Sequence, residues 1–324
     1  MVIQIINPKN KIQLYIVDGK MTDSEGNSFP IINGVPRIAA LENYTENFGV
    51  QWNKFDTTQL DRASDGLALS YQRFFAETAW RADELSGKNV LEVGSGAGRF
   101  SKVLLEQTNA NLYSVDYSDA VSANFKNNGK IAPDRFHLLQ ASIYEMPFLD
   151  NSFDKVFCFG VLQHTPDFQS SIKALISKAK PGGEVVVDFY PIKGWWTKVH
   201  AKYIFRPLSK KMSHKWLFKV IDSNVDWLIK AAISLNKIGF GVLTRFLPLV
   251  DLSTIPISGL NENQFREWVV LDTFDMFSPK HDHPHRLKDV ADMFSKSGAT
   301  VTYSGFVEYS KGLKAAVVRG IKQA

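Results

Sequence analysis

The chain has 324 residues, 44% of them apolar and 22% charged, a balance ordinary for a globular protein and long enough for one large domain with attachments. Its single cysteine, Cys158, excludes an internal disulfide and a cysteine-rich metal site. No run approaches the roughly 20 apolar residues a membrane-spanning helix needs, and Met1–Pro8 lacks a basic region ahead of an apolar stretch. No secretory leader is expected, and a cytoplasmic location is.

The net charge of +5 is uneven. Residues 194–250 hold ten Lys or Arg against Asp222 and Asp226, a local +8, which leaves about −3 for the rest.

Residues 1–40 alternate short β-like runs, Ile3–Ile6 and Ile12–Val17, with the turn signals Asp18-Gly19 and Asn33-Gly34, and predict a small β module. Residues 41–88 carry aromatics at irregular helical spacing (Phe48, Trp52, Phe55, Tyr71, Phe74, Phe75 and Trp80) and predict a helical connector. From Asn89 the pattern is regular. Strands are predicted at Asn89–Val93, Leu112–Val115, Phe136–Leu139, Phe153–Phe159 and Glu184–Phe189, the last after a turn at Lys180–Gly183. Helices are predicted at Arg99–Gln107, Asp119–Asn127 and Phe168–Ala179. This alternation means βαβ units and a parallel sheet covered on both faces. Residues 194–270 interrupt it with a basic, helical, tryptophan-bearing insertion. A loop, Asp275–Pro284, a helix, Leu287–Ser297, and two strands that should pair antiparallel, Thr300–Tyr309 and Leu313–Arg319, complete the core over residues 271–324. The cofactor-binding core is 89–193.

The chemistry sits where the first core strand ends. In Glu92-Val93-Gly94-Ser95-Gly96-Ala97-Gly98-Arg99, glycine recurs at every second position before a helix opens. Glycines let the backbone turn sharply and approach a ligand, and the helix N-terminus offers free N–H groups to an anion. Dinucleotide enzymes share that logic, but here the spacing is G-x-G-x-G, and Glu92 would meet a diphosphate unfavourably while suiting a cationic amino-sulfonium ligand. Asp116, at the end of the second strand, is placed to accept from ribose hydroxyls.

These segments, with Val115–Ser118, Ala141–Phe148, Asn151–Val156, Gly160–Asp167 and Lys180–Gly183, resemble the class I, Rossmann-like S-adenosylmethionine-dependent methyltransferases. The resemblance implies an α/β fold: a seven-stranded, mostly parallel sheet with a C-terminal antiparallel strand, the β module and the helical insertion. It implies S-adenosylmethionine as cofactor. Glu92, Gly94, Ser95, Gly96 and Gly98 would surround its methionine part, and Asp116 would bind the ribose. Tyr117 would lie against the adenine, Ser142 and Ile143 at its edge, and Phe159 and Gly160 below the sulfonium. The family has Asp where Ser142 stands, a stronger acceptor for the adenine amine. Phe48–Phe55, Thr58–Asp61 and Asp275–His285 resemble a bacterial subgroup, and residues 1–40 its zinc-ribbon-like attachment. The ribbon's cysteines are absent, with Asn7 and Asn10 where a pair would sit, so no zinc is expected.

Several residues keep two readings. His164, at the sheet's carboxyl edge, is a general base for a hydroxyl acceptor or a loop residue closing over the cofactor. His281, Asp282, His283 and His285 are further base candidates on a substrate-facing loop, with a solvated turn or a metal site as alternatives. Cys158, between two phenylalanines, reads as core. In 194–250, Trp195, Trp196, Val199 and Tyr203 fall at helical spacing beside Lys198, Lys202 and Arg206. That suits a lid packed on the core, an anionic-lipid surface at a peripheral membrane location, or an attractor for a phosphorylated acceptor. The acceptor expected is a small molecule, a glycan or a lipid-linked group. Nucleic acid is not expected, for want of a recognisable binding motif. The alternative to an enzyme is a non-catalytic S-adenosylmethionine-binding subunit of a larger complex.

Overall fold

The computed structural model describes residues 3–39, 43–61, 68–192, 194–255 and 260–324. The expected boundaries at 40/41 and at 193/194 touch residues outside that set.

Seven strands form the central sheet: β5 (Asn89–Val93), β6 (Asn111–Asp116), β7 (Phe136–Gln140), β8 (Phe153–Cys158), β9 (Ala179–Phe189), β10 (Ala299–Ser310) and β11 (Leu313–Lys322). They lie in the order β10-β11-β9-β8-β5-β6-β7. β5 to β9 are mutually parallel; β11 runs antiparallel to both β9 and β10. The order reverses between β5 and β8, so a crevice opens at their carboxyl ends, where open α/β sheets bind ligands. All five residues of β5 are buried, as a strand covered on both faces requires. The helices α3 (Arg99–Gln107), α4 (Ala120–Asn128), α5 (Phe168–Lys178) and α9 (Leu287–Lys296) supply those covers. Cys158 is fully buried.

β1 (Tyr15–Val17), β2 (Lys20–Thr22), β3 (Ser28–Ile32) and β4 (Val35–Pro36) make an antiparallel module. Ile3–Ile5 form no strand, and Ile6 only bridges Gln13. At the positions expected to replace a cysteine pair, the Asn7 and Asn10 amides both donate to the Asp23 carboxylate, at 2.8 and 2.9 Å. Arg37 pairs in parallel with Gln140, so the module caps the edge of β7 that would otherwise be open.

The connector holds α1 (Glu46–Lys54) and α2 (Leu69–Thr78). The insertion holds α6 (Ala201–Ser209) and the 24-residue α7 (His214–Lys237). α8 (Glu262–Phe277) follows and packs with α7 around Leu228, Val225, Trp268 and Phe274. Among the described residues no helix is long and apolar enough to cross a membrane.

Three expectations change. Lys180–Gly183 is not a turn before β9 but an outward excursion within it, since Phe153 pairs with Ala179 and Lys155 already with Glu184. The loop expected at Asp275–Pro284 starts later, because α8 runs to Phe277 and carries Asp275 and Met276; the 270/271 boundary falls inside that helix. Trp195, Trp196, Val199 and Tyr203 do not share a helix face. Trp195–Lys198 is a short 3-10 turn and α6 begins only at Ala201.

Candidate functional site: a cavity at the carboxyl edge of the sheet

A cavity of about 600 Å3 opens above the β5–β8 crevice. One end is built on the glycine loop between β5 and α3. Gly94 has φ +83°, and a Cβ there would run into Val161 on the neighbouring loop. Gly96, with φ +52°, lies under the Trp52 indole of α1. Both lie where a side chain would be strained, which accounts for the glycines. Ser95 lines the same wall, and its hydroxyl is buried without a hydrogen-bond partner.

Asp116 lines the cavity beside this loop. One carboxylate oxygen accepts from the Gly96 N–H at 2.8 Å, and the other from the Ser118 N–H and hydroxyl at 2.8 and 2.7 Å. Burial still pushes its acidity below that of an ordinary aspartic acid. Tyr117 faces Tyr44, with ring centroids 5.3 Å apart. Ala141, Ile143, Phe159 and Gly160 continue the wall.

Not every expected cofactor residue reaches the cavity. Glu92 lies beneath the glycine loop, accepting from the Ser101 and Ser114 hydroxyls, with its other oxygen buried and unpartnered. Burial pushes its pKa up to about 7. Gly98 stands behind the wall, its carbonyl accepting from Asn128. The Ser142 hydroxyl accepts from the Tyr144 N–H at 3.2 Å and is also off the wall.

Of the five base candidates, His164 alone lines the cavity. It ends a short 3-10 turn after β8, is buried, and contacts the His281 carbonyl through Nδ1 at 3.1 Å. Its Nε2 has no hydrogen-bond partner, and the nearest carboxylate oxygen, of Asp275, is 3.9 Å away. Burial lowers its pKa and Asp275 opposes that only in part, so the neutral imidazole is favoured. The others stand behind it. His281 packs edge-on against Tyr44, His283 bonds Gln163 through its backbone, and His285 packs on Phe168. Asp282 is committed to Lys202 at 2.7 Å. Among the described residues no cluster of His, Cys, Asp or Glu is arranged to hold a metal.

The far end of the cavity was not foreseen. Arg73 of α2 pairs with Glu77 and Asp188. Arg99 donates to Gln59 at 2.8 Å and Ser70 at 3.2 Å, and burial lowers its pKa to about 10. Asp272, pushed by burial up to about 7, and Asp275, which accepts from Tyr190 at 3.0 Å, face in from α8. Polar and apolar residues are not segregated to opposite faces of this helix, so periodicity gave these two no functional face. Lys202 and Tyr203 complete the wall from the insertion, which packs on the core here. Arg206 fastens it, donating to the Met276 and Pro279 carbonyls at 3.2 and 2.8 Å.

The sheet order, the glycine loop and the acidic residue ending the next strand define a nucleoside-binding α/β domain. Residues 91–187 match the family described as "Methyltransferase domain". The chain thus carries a methyltransferase domain over those residues, and the α/β fold expected from the sequence stands. The chain is 31% identical to a tRNA U34 carboxymethyltransferase of Idiomarina loihiensis, over 64% of each chain. It is 29% identical to the Nautilia profundicola protein of that name, over 48% of this chain and 54% of the relative. It thus spans somewhat over half the length of these relatives. Among solved structures, it is similar to the magnesium protoporphyrin IX methyltransferase of Synechocystis PCC 6803 with bound SAH. That match has a TM-score of 0.48 and 16% identity, over 86% of this chain and 97% of the other. The relatives named for transfer RNA overturn the expectation that set nucleic acid aside: a nucleic-acid acceptor is compatible with this domain without a recognisable binding motif, because an acceptor can be bound by surfaces outside the conserved core.

Proposed function

We propose that the protein is an S-adenosylmethionine-dependent methyltransferase whose acceptor is a nucleic acid, transfer RNA being the class its relatives are named for. The observation that carries the reading is the cavity itself: a glycine loop, a half-buried aspartate and two facing tyrosines at one end, and a strongly polar chamber at the other.

The residues present fit the cofactor. The unpartnered Ser95 hydroxyl is a free polar group on its wall. Gly160, with φ +72° and nothing within 4 Å of a Cβ position, leaves room below a sulfonium. Asp116 would hold the ribose, Tyr44 and Tyr117 the adenine, and the loop N–H groups the methionine end; Glu92 supports that loop from beneath. When bound, S-adenosylmethionine supplies an electrophilic methyl group. The chain's residues orient the acceptor and exclude water beneath the lid. His164, neutral and with Nε2 free, would take the proton of a hydroxyl acceptor, and Asp275 would steady the imidazolium formed.

Radiolabelled S-adenosylmethionine, incubated with the protein and unmodified transfer RNA, should leave label in the RNA. Label in glycan or lipid extracts and none in RNA would overturn the acceptor assignment.

A further inference from the structure

Two tryptophans at the mouth of the cavity are unaccounted for by the cofactor site. Trp195 and Trp196 stack on each other with ring centroids 3.7 Å apart and planes 25° apart. They are 70% and 55% exposed. Large rings left in water are a cost unless something covers them. They are also held in place. Arg245 donates to the carbonyls of Trp196 and Val199, at 2.6 and 2.7 Å, and so fastens the turn that bears them. The next residue, Thr197, already lines the cavity, so the pair sits on its outer rim. Exposed Lys198 follows, in a segment with ten cationic side chains against two aspartates.

A fixed, exposed aromatic shelf beside cationic side chains is the arrangement that binds single-stranded nucleic acid. Bases stack on the rings whatever their sequence, and the cations meet the phosphates. We infer that Trp195 and Trp196 form a stacking subsite for a nucleobase flanking the nucleotide to be modified. The inference rests on the nucleic-acid reading above. It gives the lid a second task, that of holding the strand while one nucleotide enters the chamber.

The test is the affinity of labelled, unmodified transfer RNA and of a single-stranded oligouridylate, measured by fluorescence anisotropy at low and physiological salt. Wild type is compared with the W195A/W196A double variant and with W195A alone, which removes only the more exposed ring. Calorimetric titration with S-adenosylhomocysteine reports whether each variant is folded. The expected result is roughly tenfold weaker RNA binding in the double variant, a smaller loss in W195A, and unchanged S-adenosylhomocysteine affinity. Equal RNA affinity in wild type and both variants would overturn the subsite and leave the nucleic-acid reading standing. No RNA binding by wild type would overturn both. Binding of wild type to phosphatidylglycerol vesicles, lost in W195A and without RNA binding, would assign the shelf to a lipid surface instead.

Discussion

The Arg37 guanidinium lies 2.9 Å from the Asp119 carboxylate, and so ties the N-terminal β module to the loop that follows β6. The same side chain, almost wholly buried, donates to the Gln140 amide oxygen at 3.1 Å and to the Ser122 hydroxyl at 2.7 Å. Gln140 in turn donates to the Tyr117 carbonyl, as does Asn43, both at 3.0 Å. The loop bearing Asp116 and Tyr117 is thus held from the module on one side and from the approach to α1 on the other.

Removing that guanidinium should loosen the adenosine end of the site. R37M is expected to weaken S-adenosylhomocysteine and adenosine binding alike, by on the order of 1–3 kcal/mol, with R37K recovering part of the loss. Isothermal titration with both ligands checks this. Full affinity in R37M would mean that the module only covers the sheet edge.

Glu92 gives a pH-dependent signature. Its folded pKa, about 7, lies above the ordinary value of 4.5, so between those values the folded protein holds a proton that the unfolded chain releases. The stability this group contributes is therefore present at low pH and lost as pH rises from about 4.5 to 7. E92Q mimics the protonated form, so its melting temperature relative to wild type should rise from pH 5.5 to pH 8.5. The full change is on the order of a few kcal/mol. A difference that does not vary with pH would show that Glu92 titrates normally.

In the proposed function His164 would take the proton of a hydroxyl acceptor. Its pKa is lowered by burial, so the neutral base is available across neutral pH, and kcat/KM should fall only on the acid side, below the ordinary histidine range near 6.5. H164N should lose about 100-fold in kcat and the acid limb together, while S-adenosylhomocysteine affinity holds. Retained activity with the limb intact would return His164 to a loop-closing role.

How much of this was legible in the sequence differs along the chain. β5 and α3 fall where expected, because Val90, Leu91 and Val93 mark a short strand buried on both faces and the glycines punctuate its end. Asp116 was singled out as the acidic residue ending the next strand, and Tyr117 through the family resemblance; both line the cavity beside the glycine loop. The polar chamber was not, because Arg73 comes from α2, Asp188 and Tyr190 from the end of β9, and Asp272 from α8, and they meet only through tertiary packing. The His281–His285 loop drew attention by composition, yet its side chains are spent on packing and on Lys202. The tryptophan spacing suggested a helix face, but Gly194 and the turn after it break the register before α6.

The central claim is that one cavity, organised by the glycine loop and Asp116, holds a sulfonium nucleoside. Calorimetric titration of the purified protein and of D116N with S-adenosylhomocysteine tests it most directly. Single-site binding by wild type, weakened about tenfold in D116N through lost ribose and Gly96 contacts, is the predicted result. No heat from wild type, or the same affinity in both proteins, would contradict it.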